Sequence, residues 1–128
     1  MRTVCALVVL VVALSAAHLA PAASLTPLVS GWEQFFKLEW QAPAGNGRPI
    51  TGYILNDWGF SASRIQLLVE GLDQGGQVVG QRVEWLGALL TPGMRAYFEV
   101  PAPGPAATYR VRVFAFDWLQ GSGSDQLR

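Results

Sequence analysis

The side chains best suited to nucleophilic catalysis and metal binding lie at the start of this chain. The only cysteine, Cys5, and the only histidine, His18, fall within the first 22 residues. Arg2 gives this stretch a positive start, an apolar run follows from Leu7 to Leu14, and residues 20–22 (Ala-Pro-Ala) are the small residues that a signal peptidase requires. We therefore predict a signal peptide over residues 1–22, whose removal takes away the thiol and the imidazole.

The same apolar stretch is too short for a membrane span. A span needs about 20 apolar residues, whereas the uninterrupted run from Val4 ends at Ser15. Cys5 precedes the apolar run, so it is not placed for lipid attachment. A cut after Ala17 stays open as an alternative to the cut after Ala22. We expect the processed chain to be secreted or periplasmic and not membrane-spanning.

The remaining residues offer little for catalysis. Ser61 and Ser63 lack a histidine base, and Lys37, the only lysine, falls on the polar side of a strand pattern where water solvates it. The nine carboxylates are dispersed over turns and outward strand positions, as solvated surface acids, and do not pair for glycoside cleavage. Asp57 and Asp73 lack the spacing of a calcium loop. We predict a protein that is not an enzyme and that uses no cofactor or metal.

The charge balance gives no reason to expect a polyanionic partner. Basic and acidic residues number nine each, and removal of Arg2 leaves a slight acidic excess. The arginines are scattered, except for Arg110 and Arg112, which share one strand face. Nucleic acid is therefore not an expected partner, and the length is typical of one domain.

Alternation of apolar and polar residues between Gly/Pro turns predicts an all-β chain. Residues 73–76 (Asp-Gln-Gly-Gly) form the most clearly marked hairpin turn. Six strands are predicted: Phe35–Trp40, Ile50–Asn56, Ser63–Leu72, Gln77–Leu86, Met94–Val100 and Thr108–Trp118. Their spacing indicates one antiparallel β-sandwich of six or seven strands over residues 35–118. An N-terminal segment (23–34) precedes it, and a flexible polar tail (119–128) follows.

Several of these elements resemble the FxLYD-type domain of bacterial exported proteins. The shared features are a Gly-x-x-x-Asn strand at residues 52–56, an Asp-x-x-Gly turn at 73–76, and a Leu-x-Pro-Gly turn at 90–93 before a strand that carries Phe98. Of the family's naming motif, which would fall at 69–73, only Asp73 is present. The resemblance implies an immunoglobulin-like sandwich that serves as an accessory or binding module without a shared catalytic site.

Aromatic side chains carry the remaining functional signal. All five Trp, six Phe and three Tyr lie after residue 22, which is more than a small core buries easily. Trp58 and Phe60 form one group, in the connection after the second strand. On the last strand, alternation puts a second group on a single face, namely Arg110, Arg112, Phe114, Phe116 and Trp118.

Two interpretations of these aromatic groups stay open. In the first, the seven residues contact another envelope or extracellular protein, because Phe, Trp and Arg are enriched at interfaces; a glycan-stacking platform is the alternative ligand surface. In the second, Trp32, Phe35 and Phe36 of the N-terminal segment pack over the stripe of the last strand and bury it, since large exposed apolar patches are uncommon.

Overall fold

A computed structural model describes residues 24–119 of the chain. After a short 3-10 helix, Trp32–Gln34, the six strands are β1 (Phe36–Gln41), β2 (Ile50–Asn56), β3 (Ser61–Leu72), β4 (Val78–Leu86), β5 (Arg95–Val100) and β6 (Thr108–Leu119). Every predicted strand is confirmed, with small differences at the ends. The predicted signal peptide (1–22), with Cys5 and His18, lies outside the described residues, as does all but the first residue of the predicted tail.

The strands form two antiparallel three-stranded sheets, with the orders β1-β2-β5 and β4-β3-β6. The predicted all-β sandwich is therefore confirmed. One sheet contains the first, second and fifth strands, and the facing sheet contains the third, fourth and sixth. This distribution matches that of immunoglobulin-like sandwiches. In the part of the chain that the structure covers, no helix is long and apolar enough to cross a membrane.

The core lies between the two sheets and follows directly from the period-two patterns. Ile54 of β2, Leu67 and Val69 of β3 and Val113 of β6 are all fully buried there. Burial of each such side chain contributes roughly 1.5–3 kcal/mol. Gly52 of β2 has no side chain because the Phe98 ring and the β1 backbone fill the space that a Cβ would need.

The strand β6 contains a bulge that the alternation of its sequence does not reveal. Val113 lies opposite Leu67 of β3, whereas the next paired residue, Ala115, lies opposite Gln66. Phe114 is thus an extra residue on β6, with no partner on β3. An extra residue of this kind exchanges the inward and outward sides of the strand, so the residues that follow the bulge reverse their orientation.

Because of this bulge, Phe116 and Trp118 point inward and pack against the core. Phe36 and Phe35 cover them, with ring centroids 4.8 Å apart for Phe36 and Phe116 and 5.3 Å apart for Phe35 and Trp118. The interpretation that Phe35 and Phe36 pack over these two rings is confirmed, whereas Trp32 packs into the core and lines a cavity beside Arg110 and Arg112. The single-face stripe was wrong, because the bulge separates these rings from the other members Arg110, Arg112 and Phe114.

A strap formed by residues 24–30 crosses the outer face of the β4-β3-β6 sheet. At β4, the Gln81 side-chain amide exchanges two hydrogen bonds of 2.9 Å with the Leu25 backbone. At β6, the Leu28 amide donates to a backbone carbonyl at 2.8 Å. Since β3 lies between β4 and β6, the strap passes over β3, and Glu70 on its outward side is fully buried.

Candidate functional site

The structure divides the seven predicted contact residues among three places. Trp58 and Phe60 join the inward-facing rings of β6 at the end of the sandwich where β2 and β6 finish and β3 begins. The two arginines lie farther back along β6, on the outer face of its sheet, opposite outward residues of β3. Phe114 lies between the two groups, half-buried at the bulge.

Five rings form one cluster at that end, which we call the aromatic end: Phe35, Trp58, Phe60, Phe116 and Trp118. Phe35 is its centre, with edge-to-face contacts to Trp58 (4.7 Å between ring centroids), Trp118 (5.3 Å) and Phe116 (6.2 Å). Phe60 meets Trp118 edge-on at 6.2 Å. Edge-to-face pairs at these separations are attractive beyond simple burial. The two aromatic groups that the sequence separates are therefore one packed unit.

The outer members of the aromatic end are exposed. Trp58 is 42% exposed and Phe60 is 52% exposed, whereas the residues that carry the other three rings are half-buried. Leu89, Met94 and Leu119, in the adjoining segments, are exposed as well. A concentration of large apolar side chains on the surface is typical of contact sites in soluble proteins.

Asn56, at the end of β2, fixes the connection that carries the two exposed rings. Its Nδ2 donates to the carbonyls of Phe60 (2.8 Å) and Leu90 (3.0 Å), and its Oδ1 accepts from the Trp58 amide (3.0 Å). Asn56 is fully buried, and its backbone also exchanges hydrogen bonds with the turn at residues 93–94. Trp58 and Phe60 are therefore held in place by backbone contacts and not only by ring packing.

Sequence reasoning assigned Asn56 only to a strand end and missed this role. The available signal was an asparagine directly before a Gly-containing connection. An asparagine side chain in that position often bonds to the backbone amide two residues later, as the bond to the Trp58 amide shows.

Glu70 is the second buried polar residue, and it joins three elements. Its Oε1 accepts from Nε of Arg110 (3.0 Å) and Nε of Arg112 (2.7 Å), and its Oε2 accepts from Nε2 of Gln81 (2.9 Å). Burial alone would raise the pKa of this carboxyl, but the hydrogen bonds from Arg110, Arg112 and Gln81 together hold the pKa below its usual value.

The prediction that Glu70 is a solvated surface acid was therefore wrong. Its strand position does point outward, as predicted, but the strap covers that face. A carboxylate that is ionised and engaged by two guanidinium groups is not poised to exchange protons near neutral pH.

The outer face of the β1-β2-β5 sheet carries a pair of tyrosines. The rings of Tyr53 and Tyr97 meet edge-on with centroids 5.4 Å apart, and the Arg95 guanidinium lies 4.1 Å from the Tyr53 centroid. The Tyr97 hydroxyl donates to Glu99 at 2.8 Å, and this bond raises the pKa of Tyr97. A shallow cavity of about 310 Å³ opens beside the two tyrosines, with Glu39 on its rim.

Among residues 24–119, no group of three or more His, Cys, Asp and Glu side chains is arranged to hold a metal ion. The chain matches no family model, and comparisons with curated proteins and with solved structures give no significant match. The resemblance to the FxLYD-type domain stays a prediction.

Proposed function

We propose that this protein is an exported, non-catalytic module of the bacterial cell envelope that binds another protein through its aromatic end. One observation carries the proposal: Trp58 and Phe60 are exposed while Asn56 locks the backbone between them. Tryptophan is among the residue types that dominate binding energies. A connection that is already ordered loses little conformational entropy when a partner binds.

The surroundings of the two rings support a protein partner. Leu89, Met94 and Leu119 extend the apolar surface at this end of the sandwich. A cluster of aromatic and aliphatic side chains resembles the apolar centre of a protein interface. Export is proposed from the predicted signal peptide at residues 1–22, and the cell envelope from the resemblance to the FxLYD-type domain.

The absence of catalysis is part of this proposal and rests on Glu70. It is the one fully buried carboxylate in the described residues, and its hydrogen bonds from Arg110 and Arg112 lower its pKa and occupy one of its oxygens. Measurable hydrolytic turnover by the purified domain, lost on substitution of a carboxylate, would contradict this part.

The proposal is tested with a photo-activated cross-linker in place of Phe60, in the cell that produces the protein. Gln77, exposed in the hairpin turn at the opposite end of the sandwich, is the matched control position. We expect a covalent adduct with one specific protein from position 60 and none from position 77. Equal adduct formation at both positions, or none at position 60, would sink the proposal.

Variants then separate binding from folding. Trp58→Ala and Phe60→Ala together should weaken affinity for the cross-linked protein by about thirtyfold, corresponding to roughly 2 kcal/mol at a hot spot. The free energy of unfolding should fall by only about 1 kcal/mol, because both rings are exposed and lose only edge-on contacts. Phe116→Ala, by contrast, should destabilise the domain by about 3 kcal/mol, because that ring packs against the core. The comparison shows whether the exposed rings act in binding or in stability.

A carbohydrate-binding module is the second candidate, and the tyrosine pair on the β1-β2-β5 sheet favours it. Tyr53 and Tyr97 lie beside a shallow cavity with charged neighbours, and sugars stack on rings that have polar groups nearby. Retention on insoluble glycans that Tyr97→Ala abolishes and Trp58→Ala preserves would support this candidate over the protein partner.

A further inference from the structure

The side of the sandwich where β1 and β6 meet is open. We call this place the seam. It holds a cavity of about 390 Å³, lined on one side by Trp32, Leu38 and Trp40. Trp40 occupies an inward strand position yet is 37% exposed, and its indole Nε1 crosses the seam to donate to the Tyr109 carbonyl at 3.1 Å. Among the described residues, β1 and β6 are edge strands of their sheets, and no further strand pairs with either at the seam. The apolar side chains between them therefore line an accessible groove.

The other side of the seam is cationic. Arg110 and Arg112 both line the cavity and are partly exposed. Glu70 binds the Nε atom of each, so one buried carboxylate orients two guanidinium groups and neutralises only one of their charges. Lys37 and Glu33 also line the cavity, and their charges offset each other. The groove therefore has an excess positive charge in a chain whose formal net charge is zero.

The edge of β6 is able to bond a neighbouring extended segment. The Leu28 amide of the strap donates to the Phe114 carbonyl on this edge at 2.8 Å. The strap bonds the edge beside the bulge, whereas the cavity lies along residues 110–112. Edge strands of this kind commonly accept an added strand from a partner.

Strand geometry specifies which peptide would fit. Side chains of β6 alternate between the two faces of its sheet, with Val111 on the inner face and Arg110 and Arg112 on the outer face. The cavity extends around the edge of β6, so residues from both faces line it. A strand added beside β6 has the same alternation, and its side chains lie next to those of its neighbour on each face. Apolar residues of the peptide would meet Trp40, and acidic residues would meet the two arginines.

We propose that the seam binds an extended segment of a partner protein in which acidic and apolar residues alternate. This site is separate from the aromatic end and does not depend on it. Carboxylates of the segment bond the guanidinium groups that Glu70 orients, an arrangement that favours charge-assisted hydrogen bonds. The apolar residues of the segment bury the exposed part of Trp40.

The test is a titration of the domain with two synthetic six-residue peptides, followed by nuclear magnetic resonance. One peptide alternates Glu with Val and Leu, and the control carries Lys at each Glu position. We expect the acidic peptide to bind at least tenfold more tightly, to shift the Trp40 indole signal and the amides of residues 110–113, and to weaken at high salt. Equal affinity for the two peptides, no binding, or shifts confined to Trp58 and Phe60 would overturn the proposal.

Charge reversal in the groove provides a variant that does not disturb the buried carboxylate. Lys37→Glu should weaken binding of the acidic peptide several-fold, while Arg48→Glu, in an exposed loop outside the seam, should have a much smaller effect. Trp58→Ala should leave peptide binding unchanged, so failure of this site and failure of the aromatic end are distinguishable. Equal effects of the Lys37 and Arg48 substitutions would contradict a specific role for the seam.

Discussion

Two buried polar residues explain much of how this small sandwich is organised. Asn56 and Glu70 are the fully buried polar side chains of the described residues, and no buried side-chain nitrogen or oxygen there lacks a hydrogen-bond partner. Asn56 fixes the connection beside the aromatic end, and Glu70 joins β3, β4 and β6. Removing either leaves several groups unbonded, so each should matter more to stability than its size suggests.

Replacing Asn56 with Ala should destabilise the domain by about 2 kcal/mol, because the Phe60 carbonyl and the Trp58 amide lose their partner and the Leu90 carbonyl keeps only its bond from the Ala62 amide. Urea unfolding followed by circular dichroism measures the change. Asn46→Ala, in an exposed loop, is the control and should change the free energy of unfolding by less than about 0.5 kcal/mol. Similar values for the two variants would show that the Asn56 bonds do not stabilise the fold.

Replacing Glu70 with Gln should lower the free energy of unfolding by about 2 kcal/mol at neutral pH. This loss is smaller than the loss for a fully buried ion pair, because Arg110 and Arg112 are partly exposed. Burial alone would raise the folded-state pKa of Glu70, but the hydrogen bonds from Arg110, Arg112 and Gln81 hold this pKa below the usual value for a glutamate carboxyl. Its stabilisation is therefore complete above the unfolded-state pKa and is lost as the pH falls through the folded-state pKa.

Urea unfolding of the two proteins from neutral to acidic pH measures this dependence. The difference between wild type and Glu70→Gln should shrink as the solution is acidified below about pH 4.5. Glu39→Gln, at an exposed carboxylate, is the control and should change the free energy of unfolding by less than about 0.5 kcal/mol. A Glu70→Gln difference that stays constant with pH would mean that the carboxylate charge is not what stabilises the cluster.

At the scale of elements, irregular pairing between β3 and β6 decides which side chains reach the core. The register shifts twice, with Phe114 as the extra residue on β6 and a second irregularity between Ser63 and Gln66 on β3. Within this second irregularity lies Arg64, the one non-glycine residue with positive φ (52°) among the described residues. A side chain in that left-handed conformation is strained.

Replacing Arg64 with Gly should therefore stabilise the domain by about 0.5–1 kcal/mol, because glycine accepts this conformation without a Cβ clash. The ion pair with Asp117 (3.4 Å) is lost, but both side chains are largely exposed and such pairs contribute little. Arg64→Ala is the matched control: it loses the same ion pair but keeps the Cβ, so its thermal midpoint should not rise. A Gly variant no more stable than the Ala variant would contradict the strain.

At the scale of the whole molecule, the strap completes the sandwich by closing the outer face of one sheet. It lies over the central strand β3, where Leu68 is fully buried although it is not part of the core between the sheets. The strap also connects to Glu70 through Gln81, whose amide bonds both. Residues that precede the first strand are therefore integral to the fold.

A chain that begins at Ser30 should be about 2–3 kcal/mol less stable than one that begins at Ser24, because Leu68 loses its cover and Gln81 loses two hydrogen bonds. Hydrogen exchange should show the largest loss of amide protection in β3 and β4. In the β1-β2-β5 sheet, the free energy of opening measured for each amide should fall by no more than the global free energy of unfolding does. Unchanged exchange throughout β3 would mean that the strap adds nothing to the fold.

The strands are predictable from the sequence, because period-two alternation and Gly/Pro turns are local properties of each segment. Six strands, their approximate ends and the sandwich follow from those patterns. The bulge at Phe114 and the burial of Glu70, by contrast, arise from contacts between segments that are distant in the chain. The bulge depends on how β6 pairs with β3, and the burial depends on a strap that lies 40 or more residues earlier in the chain. For the same reason, the aromatic end appears in the sequence as separate groups and becomes one surface only when the chain folds.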